Sequence, residues 1–294
     1  MKSGLCCDEG VSQPSPGERA DELRRVAEQV VGEAAEFVRG RRAQLFGPDS
    51  GPPEEVRSKS SPTDPVTLAD TETERLVRDR LAQLRPGEAI LGEEQGQEQG
   101  QASGVPGAVR WVVDPIDGTV NFIYGIPAYA VSLAAQVDGV SVAGAVADVC
   151  SRQVYSAATG WGASVSVGDQ RTELRCTGVT ELSMALLGTG FGYEPPRRAA
   201  QAALLATLLP MVRDVRRIGS AALDLCAVAA GRLDAHYEHG LNLWDWAAGA
   251  LIAAEAGAVV VLPDHPTGLL VAAAPGVADD LIEALRFHAP PLMP

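Results

Sequence analysis

Residues 109–122 read Val-Arg-Trp-Val-Val-Asp-Pro-Ile-Asp-Gly-Thr-Val-Asn-Phe, and this stretch decides the fold. Its first part, 109–113, is a mostly apolar run rich in β-branched residues, which predicts a buried β-strand. Asp114 and Asp117 follow directly, so two carboxylates are predicted at one strand end. Strand ends are where α/β proteins place ligands. The stretch therefore predicts an α/β protein with an acidic ligand site beside a buried strand.

The residues between and after these carboxylates shape the backbone for a ligand. Pro115 fixes the main chain after Asp114, and Gly118 allows close approach, which leaves the amides of Gly118 and Thr119 available to an anion. Oxygen ligands in this arrangement suit Mg²⁺, which keeps several waters and needs only a few carboxylates plus a substrate phosphate. The alternative is an Asx-type turn in which Asp and Gly merely form the turn.

Two further acidic positions lie beside apolar segments. Glu93 follows the apolar run 89–91, and Asp245 begins an otherwise apolar helix. Each has a simpler interpretation, because Glu93 can begin a solvated acidic loop and Asp245 can serve only as a helix N-cap. An Asp at a helix start can cap and bind a metal together, since its two oxygens face different ways. Its neighbours Trp244 and Trp246 are predicted to pack in the interior.

The rest of the chain mixes amphipathic helices with short β-like runs. Helices are predicted over 21–45, 68–84, 197–209, 220–231, 244–256 and 277–287, and strands over 89–91, 109–113, 129–137, 141–148, 153–158, 184–189, 259–262 and 269–273. This order predicts layered sheets sandwiched by helices. Residues 1–17, rich in Ser, Pro and Gly, predict a disordered tail.

Charge and hydropathy exclude several classes of partner. The 294 residues include 24 Lys and Arg against 38 Asp and Glu, a formal net charge of −14, and such a field repels nucleic acid and anionic membranes. No run approaches the ~18 to 20 apolar residues of a membrane span, and the N-terminus lacks the apolar core of a signal peptide. We therefore expect a cytoplasmic protein without nucleic-acid or membrane partners, in which a metal cation helps to bind any anionic substrate.

The cysteines and histidines give no catalytic pattern. The five cysteines are scattered and form no CxxC or Cys/His cluster, so neither a zinc site nor a disulfide framework is expected. Cys150 and Cys226 lie in apolar stretches and are predicted to be core residues. His236 and His239 form an i, i+3 pair with no third partner, which is weak evidence for a metal site.

Five separated motifs in a fixed order resemble the inositol monophosphatase family, a Mg²⁺-dependent, lithium-sensitive phosphatase superfamily. They occupy residues 59–70, 92–94, 111–122, 219–222 and 238–245, and the resemblance covers about residues 20–288. It implies an α/β (α+β) fold, the layered αβαβα sandwich of the inositol monophosphatase and fructose-1,6-bisphosphatase type. It also implies a homodimer and one phosphatase domain over 18–294, with lobes at about 18–165 and 166–294. The Gln/Gly-rich loop 95–104 departs from the family pattern.

The resemblance implies two or three Mg²⁺ ions. Glu93, Asp114 and the carbonyl of Ile116 would hold the first ion, and Asp114, Asp117 and Asp245 the second. A weaker third ion would rest on Glu93 and waters. Two cations about 3.5–4 Å apart can stabilise both the attacking and the leaving oxygen of an in-line displacement at phosphorus.

The resemblance also assigns the catalytic and substrate-binding positions. A water beside Glu93 would be the nucleophile, oriented and deprotonated by Thr119 with Asp70, so no covalent phosphoenzyme is needed. Substrate contacts are implied for Asp117, Gly118, Thr119, Gly219, Ser220, Ala221, Glu238 and Asp245. Lys59 is a further possible residue near the metal and phosphate, with a solvated loop charge as the alternative, and Asp64 is predicted to be structural. The alternative for Glu238 is a plain surface loop.

The implied function is Mg²⁺-dependent hydrolysis of a small phosphate monoester, with myo-inositol 1-phosphate as the leading substrate. Asn121 and Phe122 resemble the inositol branch of the family, whereas nucleotide-cleaving relatives tend to carry an acidic residue at position 121. Histidinol phosphate, 3′-phosphoadenosine 5′-phosphate and fructose 1,6-bisphosphate remain alternatives. A catalytically silent scaffold or phosphate sensor is disfavoured, because it would not need the full set Glu93, Asp114, Asp117, Asp245, Thr119 and Asp70.

Overall fold

The computed structural model describes residues 16–47, 56–58, 65–98 and 105–288, and these ranges form seven α-helices and fifteen β-strands. The helices are α1 (Pro16–Phe46), α2 (Leu68–Leu84), α3 (Thr119–Tyr124), α4 (Pro195–Leu208), α5 (Ala221–Ala229), α6 (Leu243–Glu255) and α7 (Pro275–His288). The strands are β1 (Val56–Ser58), β2 (Pro65–Thr67), β3 (Ala89–Gly92), β4 (Gly96–Glu98), β5 (Val109–Asp117), β6 (Ala130–Val137), β7 (Val140–Asp148), β8 (Val154–Ala158), β9 (Ala163–Val167), β10 (Gln170–Glu173), β11 (Leu186–Thr189), β12 (Asp214–Arg216), β13 (Ala235–His239), β14 (Val259–Val261) and β15 (Leu269–Ala273). None of the helices in these ranges has the length and apolarity to cross a membrane.

The elements stack in five layers. An eight-stranded sheet has the order β10-β9-β8-β7-β6-β5-β3-β4, and a five-stranded sheet has the order β12-β11-β13-β15-β14. Helices α1 and α2 cover the outer face of the first sheet, α5 and α6 lie between the sheets, and α4 and α7 cover the outer face of the second. The layered αβαβα sandwich predicted from the sequence is confirmed.

Strand β5 is buried on both faces, which explains its apolar run. Trp111 and Val113 pack in the core under α1 and α2, whereas Val112 faces the core made with α5 and α6. Successive side chains of a strand point to opposite faces, so a strand between two helix layers needs apolar residues at consecutive positions. This strand is therefore an interior strand of the first sheet, covered by helices on both faces.

Small residues let the middle helices approach the first sheet closely. A Cβ added to Gly144 of β7 would lie 3.0 Å from the Cβ of Ala248 in α6, and one added to Gly249 would lie 2.9 Å from the Cβ of Leu225 in α5. A larger side chain at position 144 would push α6 away from the first sheet, and one at position 249 would push α5 and α6 apart, because protein interiors have no spare volume. The tight packing brings the start of α6 next to β5.

Several predicted boundaries are corrected by tertiary pairing. Helix α1 begins at Pro16, so the end of the predicted tail belongs to this helix. The first sheet continues through β9 and β10 to Glu173, and β13 was missed because its side chains mix polar and apolar types. Cys226 is buried, but Cys150 is exposed, since it lies in a turn whose amides bond the Asp148 carboxylate.

Candidate active site

Asp114 and Asp117 lie within β5 rather than after it, and a β-bulge turns both to one face. Asp114 pairs with Ser132 and Asp117 with Ala130, so three residue steps on β5 match two on β6. In a regular strand, residues three apart point to opposite faces, and the extra residue of the bulge removes that difference. Pro115 is tolerated there because a bulge does not require every backbone donor.

Glu93 lies in the turn between β3 and β4, next to the bulge. Strand β3 runs parallel to β5 with Gly92 opposite Val113, so the chain leaves β3 beside Asp114. The charge of Glu93 raises the pKa of Asp114, so the two carboxyl groups lie close enough to interact.

The turn that carries Glu93 is held by a buried carboxylate that the sequence analysis missed. Glu74 of α2 accepts hydrogen bonds from the amides of Glu94 at 2.7 Å and Gln95 at 3.2 Å, and it pairs with Arg78 at 2.9 Å. Gly92 is required here, because a Cβ would lie 2.3 Å from the Glu74 carboxylate. The sequence offered one signal for this role of Glu74, because Arg78 follows it four residues later on the same face of the predicted helix.

The start of α3 joins Thr119 to Asp70. The Thr119 hydroxyl lies 3.1 Å from Asp70 Oδ1 and 3.0 Å from the carbonyl oxygen of Ile116. The side chains of Thr119 and Asp70 are both buried. Gly118 before it has a φ of 94°, and a Cβ there would lie 2.9 Å from the carbonyl oxygen of Ala128. The left-handed conformation and the close approach both favour glycine at this position.

The N-terminus of α5 binds Asp117. The Ser220 hydroxyl donates to Asp117 Oδ2 at 2.6 Å, and the amide of Ala222 donates to the same oxygen at 2.7 Å. Asn121 fixes the approach of this segment, because its side-chain amide donates to the carbonyl of Ile218 at 2.9 Å. Asp117 is therefore anchored from the middle helix layer.

Asp245 belongs to the first turn of α6 but is not its N-cap. Asn242 occupies the N-cap position, and its backbone N–H donates to Asp245 Oδ2 at 2.6 Å. The interpretation of Asp245 as an N-cap is therefore corrected, although the residue still caps the helix through this reciprocal contact. Trp244 and Trp246 pack against the core made with α5 and α6, as predicted.

Together Glu93, Asp114, Asp117 and Asp245 form one carboxylate cluster. Burial raises the pKa of Asp114 well above its usual value, and the negative charges of Glu93, Asp117 and Asp245 raise it further. Burial likewise raises the pKa of Asp245, reinforced by Asp117 and Glu93. Burial raises the pKa of Asp117 to about 6, although hydrogen bonds from Ser220 and Ala222 oppose this. Mutual repulsion in a buried place is the defining property of the cluster.

The cluster fits hard divalent cations by its chemistry. All four side chains are oxygen donors with excess negative charge, which is the donor set that Mg²⁺ prefers. Within the described residues, no three His, Cys, Asp or Glu side chains are arranged to hold an ion as they stand.

Glu238 lies on the second sheet, on the other side of α5 from the bulge. Its side chain is 12% exposed, and Gly190 makes room for it, since a Cβ on Gly190 would lie 2.0 Å from Glu238 Oε2. Burial raises the pKa of Glu238 to about 8, with Arg217 opposing and Asp117 reinforcing the shift. Gly219, with a φ of 94°, brings the chain between Arg217 and Ser220 close to this carboxylate and the cluster.

The structure thus brings the predicted site residues together around β5, α5 and α6. Lys59, Asp64 and residues 99–104 of the Gln/Gly-rich loop lie outside the described residues. His239 is buried in the second sheet, where burial lowers its pKa to about 4, aided by Arg197. Asp114 is buried and the Glu238 side chain is only 12% exposed, so a plain turn and a surface loop do not describe these two residues, whereas Glu93 lies in a partly exposed turn.

A layered αβαβα sandwich with a carboxylate cluster between its sheets is an architecture whose oxygen donors suit divalent cations. The sequence pattern of the Inositol monophosphatase family matches residues 19–289. The chain belongs to this family, whose members are generally Mg²⁺-dependent, and it is a phosphoric monoester hydrolase.

Named relatives support this assignment. Inositol-1-monophosphatase SuhB of Mycobacterium tuberculosis is 64% identical over 280 residues, which cover 93% of this chain and 97% of that protein. The solved structure of M. tuberculosis SuhB superposes with a TM-score of 0.78 at 62% identity, over 92% of this chain and 98% of that chain. A relative from Pasteurella multocida named Nus factor SuhB is 38% identical, over 77% of this chain and 84% of that protein.

Proposed function

We propose that this enzyme hydrolyses myo-inositol 1-phosphate to myo-inositol and phosphate, with Mg²⁺ bound at the carboxylate cluster. The observation that carries the proposal is the cluster itself, which lies beside the hydroxyl of Thr119 and the carboxyl group of Asp70. The choice of inositol follows from the mycobacterial relatives named inositol-1-monophosphatases, which are more similar to this chain than the Nus factor is.

The proposed ligands are five oxygen donors. Glu93, Asp114 and the Ile116 carbonyl would hold one Mg²⁺, Asp114, Asp117 and Asp245 a second, and Glu93 would contribute to a weaker third. When bound, the ions supply Lewis-acid stabilisation of charge on the attacking and leaving oxygens. The shared role of Asp114 fits its position, since the other three acids of the cluster all raise its pKa.

Thr119 and Asp70 are proposed to remove the proton from the attacking water. A hydroxyl group has one proton and two lone pairs. When Thr119 donates its proton to Asp70 Oδ1, 3.1 Å away, its oxygen is left to accept a proton from a water in the cleft. The water proton then moves to Thr119 Oγ1, while the hydroxyl proton moves to Asp70. Both residues are buried, so bulk water does not compete for this exchange.

The substrate is proposed to lie between the two sheets. Its phosphate would contact the amides of Gly118 and Thr119 and the ions held by Asp117 and Asp245. Its alcohol half would lie against the backbone of residues 219–221, with Ser220 at the start of α5, and against Glu238. A carboxyl group accepts hydrogen bonds from hydroxyls, which suits a polyol.

Phosphate release from a panel of esters tests the function. The panel contains myo-inositol 1-phosphate, histidinol phosphate, 3′-phosphoadenosine 5′-phosphate, fructose 1,6-bisphosphate and p-nitrophenyl phosphate, each with Mg²⁺ and with EDTA. We expect the highest kcat/KM for myo-inositol 1-phosphate and no turnover with EDTA. A tenfold preference for another ester, or full activity in EDTA, contradicts the proposal.

We also propose that the chain forms a homodimer, as its family resemblance implies. Sedimentation equilibrium at micromolar concentration tests this. A mass of one chain across the concentration range contradicts it.

A further inference from the structure

A line of three buried ionisable side chains runs away from the active site, and the proposed mechanism does not use it. His236 of β13 is completely buried, with Nε2 3.6 Å from Glu238 Oε2 and Nδ1 3.8 Å from Asp224 Oδ2. Asp224 lies on α5, one turn after Ser220, and is also buried. The imidazole ring therefore stands between a carboxyl group at the substrate site and one in the interior.

The second sheet is shaped to accommodate this line. His236 and Glu238 are two residues apart on β13, so they share the sheet face that meets α5. On the neighbouring strand β11, His236 is paired with Gly188. A Cβ there would lie 3.0 Å from His236 Nδ1, while one on Gly190 would overlap Glu238. Two glycines thus leave the space that the imidazole and the carboxyl group fill.

These three side chains need one additional proton before both contacts of the imidazole can be hydrogen bonds. Among the described residues, both ring nitrogens of His236 and Asp224 Oδ1 lack a hydrogen-bond partner. A neutral imidazole has one N–H, so it can donate to only one of the two carboxylates. One additional proton turns both contacts into hydrogen bonds, and a contraction of about half an ångström brings them into range. Buried polar groups are costly until they make such bonds.

We propose that His236 is a positioning residue for the alcohol half of the substrate. The imidazole binds Glu238 Oε2 through a proton shared along the line to Asp224, which leaves Glu238 Oε1 to accept hydrogen bonds from substrate hydroxyls. The inference rests on the proposed function, because only a polyol ester presents those hydroxyls.

The charged surroundings favour a proton on a carboxyl group rather than on the ring. Burial lowers the pKa of His236 to about 3 and raises that of Glu238 to about 8. Burial also raises the pKa of Asp224, with the charges of Glu238 and Asp117 adding to the rise and Arg217 opposing it. The consistent arrangement is a Glu238 hydroxyl donating to His236 Nε2 and His236 Nδ1–H donating to Asp224.

Two amide substitutions at position 236 form a matched pair. In His236→Gln the longer side chain can still reach Glu238, whereas in His236→Asn the shorter one reaches only the Asp224 side. Both are smaller than imidazole and avoid overpacking. KM and kcat are measured with Mg²⁺ on myo-inositol 1-phosphate and on p-nitrophenyl phosphate, whose leaving group carries no further hydroxyl.

We expect His236→Asn to raise KM for myo-inositol 1-phosphate about tenfold, in the range of one lost hydrogen bond, with kcat within about threefold. His236→Gln should recover most of this loss, and p-nitrophenyl phosphate kinetics should change little in either variant. In a Glu238→Ala background, His236→Asn should not raise KM further, because His236 acts on the substrate only through Glu238.

Other outcomes overturn the inference. An unchanged KM in His236→Asn, or an equal loss of kcat on both esters, shows that the ring has only a structural role. If neither variant folds, an unaltered KM in Glu238→Ala contradicts the inference, because Glu238 then contacts no hydroxyl. A wild-type enzyme with no preference for the inositol ester contradicts the proposed function instead, which separates the two failures.

Discussion

Acidic side chains serve opposite purposes in the outer helix layer and in the active site. On α1, Glu33 accepts hydrogen bonds from Arg80 of α2, one at 2.8 Å, and these bonds lower its pKa. In the carboxylate cluster, burial and neighbouring acids raise the pKa of Asp114 and Asp245. The difference is the partner, because an arginine favours the charged carboxylate while a second carboxylate opposes it.

Carboxylates of the cluster such as Asp114 lie among other acids, whereas carboxylates of the outer helix layer such as Glu33 are paired with arginines. Paired acids such as Glu33, which joins α1 to Arg80 of α2 near the surface, stabilise the fold little. We expect the cluster to weaken the metal-free fold, because its repelling carboxylates are the proposed cation ligands. Such electrostatic repulsion is expected at positions whose residues were selected for function rather than for stability. Four predictions test the contrast.

The largest expected effect is the loss of activity in Asp114→Asn. This substitution removes the charge that is proposed to be shared by two ions, so kcat/KM for myo-inositol 1-phosphate should fall at least about 10³-fold, equivalent to several kcal/mol. Phosphate release is measured across a wide range of Mg²⁺ concentration. Near-normal turnover at saturating Mg²⁺ rules out the shared role.

The next effect concerns Thr119, whose hydroxyl contacts the buried carboxyl group of Asp70. Thr119→Ala removes the hydroxyl that is proposed to relay the water proton, so kcat should fall about 10²-fold with little change in KM. Thr119→Ser keeps the hydroxyl and should recover most of the rate. Equal losses in the two variants would assign the effect to packing of the threonine methyl group.

The third prediction is that Asp114→Asn, which lowers activity, raises the stability of the metal-free protein. In EDTA, Asp114→Asn should be more stable than the wild type by about 1–3 kcal/mol, because it removes an uncompensated buried charge. A raised carboxyl pKa makes the native state bind more protons than the unfolded state, so wild-type stability falls as pH rises. The difference in stability between the variant and the wild type should therefore narrow as pH falls through the raised pKa of Asp114. Denaturant unfolding of both proteins measures it, and a less stable variant at every pH contradicts the account.

The smallest effect is expected in the outer layer. Glu33→Gln breaks an ion pair whose two side chains are about one third exposed, so it should cost less than about 1 kcal/mol and leave kcat/KM unchanged. A lowered carboxyl pKa contributes stability above the unfolded pKa, so this small term should vanish as pH falls through the lowered value. Added salt should also reduce it. A loss of several kcal/mol would show that paired acids stabilise this fold as strongly as packing does.

Local sequence identified most of the elements and the acids of the site. The apolar run before Asp114, the helical spacing of α1 and the apolar start of α6 reflect interactions within each segment or with a whole layer. Long-range partners were harder to find. Strand β13 is set by pairing with β11 and β15, and its mixed side chains gave no periodic signal.

The sequence by itself determined which carboxylates are available and which apolar faces must be buried, because composition and periodicity are properties of the chain. Only the tertiary structure decided how these carboxylates meet. The bulge that turns Asp114 and Asp117 to one face depends on their register with β6, and the turn that carries Glu93 depends on Glu74 from α2. The line from Glu238 through His236 depends on Gly188 in β11, on Gly190 just after it and on a helix from the middle layer. Such contacts join residues far apart in the chain, so no local pattern records them.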